Sequence, residues 1–254
     1  MKYPKVVFKP MSLEENIDII KWSFYAEQTD LNVHDYTIKY FEELRNLDIK
    51  TPKEEGYKEI EKVVTNYYEK NKDIMMREVK RYQTLWEEYN DKYLFMLSSY
   101  LGVEFAKTVR EIKATVGFIP VCPRNLDDYS FAISMWIENS KVIEIIAHEI
   151  LHFLWFEKWK QIHPETPRRE YDSPYLVWQY SEMVTDPILN NKPFNELFAF
   201  KERGYDSFYE LYDKEELVMD ILRSIYSTND EINIKIKKGY QYILNYFAKN
   251  NRLL

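Results

Sequence analysis

His148-Glu149-Ile150-Leu151-His152 is the segment of this chain whose residue types and spacing are best suited to chemistry. On a helix, side chains four apart stand one above the other, with Cβ atoms about 5–6 Å apart. Both imidazoles can then reach one metal ion at roughly 2 Å each. Glu149 leaves the same turn beside them, placed to act on water at the metal rather than on the metal. The chain has 4 histidines, so this motif uses half of them. The run Val142 to Trp155 contains no Gly or Pro, and Asn139 or Ser140 offers an N-cap, so a helix is expected here. Apart from Glu144, His148, Glu149 and His152 nearly every position in the run is apolar, which predicts a buried helix. Polar side chains on such a helix must be satisfied, and a metal satisfies them.

A second segment offers carboxylates. Ser173-Pro174 reads as an N-cap followed by Pro at the first helical position, and Pro187 reads as the stop. Between them runs Ser181-Glu182-Met183-Val184-Thr185-Asp186, in which Glu182 and Asp186 are four apart. One helical face would present both. Either can ligate a metal while the other accepts the free N–H of a ligating imidazole.

HExxH followed some thirty residues later by E-x-x-x-D resembles the gluzincin metallopeptidases, the thermolysin-like clan, over roughly residues 117–190. The resemblance implies a Zn²⁺ site with His148, His152 and Glu182 as ligands, Glu149 as general base, and Asp186 as the outer partner of His148. It also implies a zincin-like core with a small sheet, in which the penultimate strand before the motif helix pairs with extended peptide substrate. That strand would be Phe118–Cys122, where Pro120 suits an edge strand. Family members steady the oxyanion with a Tyr or His; His163, Tyr171, Tyr175 and Tyr205 are candidates, with nothing local to separate them. Other zinc patterns fit less well. The metzincin pattern requires Gly and His where Trp155 and Lys158 stand, and Cys122 lacks the surroundings of a deformylase ligand. No Gly-x-Met-x-Asn segment precedes His148, which favours an endopeptidase over an aminopeptidase.

The elements that must hold these residues are mainly helical. Up to about residue 116 the reading is helix throughout: a capping box at Ser12/Glu15, a start at Thr51-Pro52-Lys53-Glu54, core stripes through Ile60, Val64, Met75, Val79, Tyr82, Trp86 and Tyr93, a break at Gly102, then a helix through Phe105, Val109 and Ile112. Two short strands, Phe118–Cys122 and 129–137, precede the motif helix. Beyond Pro187 helices return, with capping boxes at Ser207/Glu210 and Thr228/Glu231 and a core stripe through Ile236, Tyr240, Ile243 and Phe247. The expected fold is α+β and mainly helical, with a helical N-terminal subdomain over 1–115 and a zincin-like catalytic subdomain with a helical C-terminal part over 116–254.

Composition narrows the classes. In 254 residues, 45% hydrophobic and 17% aromatic, a sizeable core can form, and 5 Gly disfavour a turn-rich all-β fold. One Cys allows no intrachain disulfide. A net charge of −7 without a basic stripe makes nucleic acid a poor partner, and Lys235, Lys237 and Lys238 read as a solvated helix face. No signal peptide or membrane span is visible in the sequence, so cytoplasmic residence is the default expectation, leaderless export aside. The expected partner is a peptide or protein substrate, and the sequence leaves oligomeric state open. The expected activity is zinc-dependent peptide-bond hydrolysis. Its rivals are a non-proteolytic scaffold or protein-binding module of the same build, and a zinc amide hydrolase acting on other substrates.

Overall fold

Alternation decides the first element. In Lys5–Pro10 (β1) Val6 and Phe8 are buried while Lys5 and Lys9 face out, a two-residue period that makes a strand where helix was expected. The computed structural model describes residues 3–26, 33–198, 200–201 and 204–250, apart from the side chains of Asn139 and Ser140. The fold is α+β and mainly helical. It divides into two compact units, each drawing on chain from both sides of residue 115.

The first unit comprises Pro4–Asn90 and Val109–Ile143. After β1 come α1 (Leu13–Phe24), α2 (Val33–Tyr40) and α3 (Lys53–Glu87). Ser12 and Glu15 form the expected capping box on α1. α3 starts at Lys53 with Pro52 as its cap residue, and it buries Ile60, Val64, Met75, Val79, Tyr82 and Trp86 on one face. The rest of the unit is β2 (Glu111–Gly117), β3 (Arg124–Asn125) and β4 (Ser130–Ser134). The sheet order is β1-β2-β4-β3, with the first two pairings parallel and the β3–β4 pairing antiparallel. The outer edge of β1 is covered by side chains: Asn90 Oδ1 accepts from Val6 N–H, Gln83 Oε1 accepts from Phe8 N–H, and Gln83 Nε2 donates to Val6 O.

Two sequence expectations for this unit are corrected. The helix expected through Phe105, Val109 and Ile112 is absent, because Ile112, Ala114 and Val116 are buried alternately in β2. Phe118–Cys122 is not a strand. Its apolar character reflects burial of a loop: Phe118 packs on Tyr67, Tyr68 and Trp136, and its N–H is satisfied by Asn16 Oδ1 at 2.8 Å.

The second unit comprises Asp91–Thr108 and Glu144–Leu254 with the first three residues. α4 (Asn90–Leu101) ends where Gly102 adopts φ 63°, and the Val103 N–H bonds back to Ser98 O, a left-handed helix stop. α5 (Asn139–Ile162) carries the histidine motif, and its capping expectation falls on side chains outside the described ones. Then follow α6 (Leu176–Met183), α7 (Thr185–Leu189), α8 (Phe194–Leu197), the two-residue strands β5 (Tyr212–Asp213) and β6 (Glu216–Leu217), α9 (Val218–Ser227) and α10 (Ile232–Lys249). Neither capping box expected here forms: Ser207 lies inside a short 3-10 turn, and α10 starts after Glu231 without a side-chain cap. Lys235 is buried rather than solvated, its Nζ donating to Tyr226 O at 2.9 Å, while Lys237 and Lys238 are exposed. Burial pulls its ammonium below the usual lysine value, with Asp230 opposing. Among the described residues no helix is long and apolar enough to cross a membrane.

Candidate metal centre

α5 forms and buries as its composition requires. Ile146, Ala147, Ile150, Leu151, Phe153, Leu154, Trp155 and Phe156 are all nearly inaccessible, so the helix is enclosed on most sides. Tyr93 donates to Ala147 O at 2.6 Å, fixing α4 to the turn that bears the first histidine. Trp155 stacks on Trp159 at 5.2 Å, and the edge of Tyr180 meets Trp155 at 5.8 Å.

Tyr180 also determines where α6 lies. Its hydroxyl donates to Ile236 O at 3.1 Å and shares a 2.9 Å bond with the Tyr226 hydroxyl. Burial raises the pKa of both phenols, so both stay protonated. Gly239 on α10 gives this ring its room, since a Cβ there would lie 2.3 Å from the Tyr180 hydroxyl. Two residues after Tyr180, on the same helix, stands Glu182. α6 begins later than the sequence indicates: Ser173-Pro174 is a cis peptide bond outside the helix, and Tyr175 is the cap residue. Pro187 does not end the segment either. It occupies the third position of α7, where a missing N–H is tolerated, and the cost appears as the break at Val184 between α6 and α7.

The outcome is that His148, His152 and Glu182 come together, with their ligand atoms within 4.8 Å of one another. His148 Nε2 lies 3.2 Å from Glu182 Oε2 and 3.0 Å from His152 Nε2, and His152 Nε2 lies 3.5 Å from Glu182 Oε2. Tetrahedral zinc with bonds of about 2.0–2.1 Å requires neighbouring donors about 3.3 Å apart. The three edges bracket that value, so the donor set fits one face of a zinc tetrahedron. The electrostatics agree. The Glu182 side chain is 2% exposed and that of His152 0%, and burying an anionic carboxylate is costly unless a cation compensates it. Two ring nitrogens 3.0 Å apart are compatible only if one carries a proton or both direct lone pairs at a shared cation. Two imidazoles and one carboxylate are the donor chemistry zinc takes, and this group contains no thiol. Only His148, 17% exposed, opens the cluster to the outside.

Glu149 is buried at 5% exposure on the turn between the two histidines. Asp186, expected to accept from His148, is engaged elsewhere. Its carboxylate receives Arg223 Nη2 at 2.6 Å, Asn190 Nδ2 at 2.9 Å and the Tyr209 hydroxyl, and a bond to His148 is not among these. The spacing behind that expectation is present, but Asp186 belongs to the separate turn of α7 and Arg223 arrives from α9, 37 residues on. Nothing in the local sequence signals that partner, or Tyr209. Of the four oxyanion candidates, Tyr171 packs on Phe156 at 4.9 Å, Tyr175 is exposed, Tyr205 lies against Trp178, and His163 packs at a tilt on Trp159 at 4.4 Å. Their contacts single out none of them.

No family model, no curated protein and no solved structure matches the chain. Any reading of the site therefore rests on its own residues.

Proposed function

We propose that this protein is a zinc-dependent metallopeptidase of gluzincin type with a zincin-like catalytic core, in which His148, His152 and Glu182 hold the metal and Glu149 moves the proton. The observation that carries the reading is the triangle of donor atoms with edges of 3.0, 3.2 and 3.5 Å, built by two helices. A zinc ion held there would supply Lewis acidity toward a peptide carbonyl and would bring the pKa of water from ~15.7 toward ~7.

The remaining chemistry belongs to the chain. His148 and His152 keep their Nε2 lone pairs for the metal, and the backbone of α5 fixes their spacing. Glu182 contributes one negative charge, so with a divalent cation bound the site would keep net positive charge. The Glu149 carboxylate takes the proton of the attacking water and passes it to the departing amine as the C–N bond breaks. Its burial excludes bulk water, which strengthens that proton's attraction to the carboxylate at the moment of transfer.

Metal analysis of the purified protein, followed by a quenched-peptide or casein assay with and without chelator, tests the reading. One zinc per chain with chelator-sensitive cleavage inside peptides is the expected result. A protein loaded with zinc but inert toward a broad peptide library would overturn peptidase activity in favour of a scaffold. Turnover of other amides alone would redirect it to a non-peptidase amide hydrolase.

A further inference from the structure

The interruption at Val184 leaves Glu182 in a demanding position. Pro187 has no N–H to return to the Met183 carbonyl, so the helical ladder is incomplete just after the third donor. The last ladder bond of α6 is Val184 N–H to Tyr180 O at 3.1 Å, and the chain that follows is held by side chains instead. Asp186, 1% exposed, receives Arg223 through Nη2 to Oδ2 at 2.6 Å and Nε to Oδ1 at 3.5 Å. Asp220, one turn earlier on α9, holds the other arm of that guanidinium at 2.7 Å. The Tyr209 hydroxyl donates to the same carboxylate and accepts the Gly204 N–H at 3.2 Å. Gly204 in turn lies against the backbone of the donor: a Cβ there would stand 3.4 Å from Glu182 O. That same carbonyl accepts the Thr185 hydroxyl at 2.7 Å.

We propose that Arg223 and Tyr209 are positioning residues for the Glu182 ligand, acting through Asp186 and Gly204 to hold the chain that follows the helix break against the Glu182 backbone. The inference rests on the metal reading above. Asp186 thereby serves the site by orienting the carboxylate donor rather than an imidazole. Groups that orient metal ligands typically account for about 10–100-fold in metal affinity. An Arg fork is required because it grips both Asp186 oxygens while its third nitrogen holds Asp220.

Zinc affinity by competition with a chromophoric chelator, the absorption spectrum of the cobalt-substituted protein, and the melting temperature of the metal-free chain should be measured for wild type, Tyr209→Phe, Arg223→Met and Arg223→Lys. Arg223→Met is expected to weaken zinc binding about 10–100-fold and Tyr209→Phe about 10-fold, each with a changed cobalt spectrum. Arg223→Lys should recover part of the affinity through its charge. Variants that lower the melting temperature while keeping wild-type zinc affinity and cobalt spectrum would overturn the proposal, reducing the network to a strut between α7 and α9. A wild-type chain that binds neither metal would instead remove the metal reading, and this inference with it.

Discussion

At the scale of single residues, Glu149 and His152 stand three apart on one helix, and the proposed roles give them different sensitivities. Glu149→Gln keeps the shape and the burial but cannot take a proton, so zinc content should stay near one per chain while kcat falls by about 10²–10⁴. His152→Ala removes a wholly buried donor and should lose metal and turnover together. A Gln variant cleaving at the native rate would mean the proton goes elsewhere. The approach of His148 to His152 is legible in the letters because i and i+4 positions share a helix face whatever the fold around them. Glu182 is legible for a weaker reason: its segment offers two carboxylates at helical spacing, and the family resemblance chooses between them. The engagement of Asp186 is not legible. Its strongest partner, Arg223, comes from a helix 37 residues on, and a long-range ion pair leaves no local pattern.

At the scale of elements, helices were readable where one period ran without a competitor. α5 is long and apolar with no Gly or Pro, and α1 carries a complete capping box. Strands were lost where two periods shared a residue: Ile112 continues a helical spacing from Val109 and also starts the alternation Ile112, Ala114, Val116. The segment Phe118–Cys122 departs from a strand for a different reason. The N–H of its first residue is satisfied by the buried Asn16 side chain from α1, where a strand would have needed a neighbouring strand. The contact between α6 and α10 turns such packing into a measurement. In Gly239→Ala the new Cβ meets the Tyr180 hydroxyl at 2.3 Å, and that hydroxyl is held by two bonds, so it cannot move aside freely. The expected cost is about 1–3 kcal/mol. In a Tyr180→Phe background the nearest remaining ring atom lies at 3.2 Å, so the same substitution should cost less. Urea denaturation of the four proteins in a double-mutant cycle reads the difference, and strict additivity would exclude the clash. Zinc affinity should fall in Gly239→Ala too, because Tyr180 fixes the helix that carries Glu182.

At the scale of the whole molecule, both units keep phenols protonated by burying them. Burial pushes Tyr82 in the first unit up to about 12, opposed in part by Arg81, and it pushes Tyr100 and Tyr242 in the second up to about 12. Burial also raises Tyr93, Tyr180 and Tyr226, all in the second unit. A folded-state value above the unfolded one means that, above the ordinary phenol pKa near 10, the unfolded chain has released protons the folded chain still holds. Stability from this source is therefore intact below pH ~10 and declines as pH rises toward about 12. Urea unfolding at stepped alkaline pH should show that decline, with tyrosinate absorbance from the buried phenols appearing only as the chain unfolds. Since most of these phenols belong to the second unit, amide exchange at high pH should open the segments of Asp91–Thr108 and Glu144–Leu254 before those of the sheet. Equal loss of protection in both units would show that alkaline instability comes from general charge repulsion in an already acidic chain rather than from buried tyrosines in the helical unit.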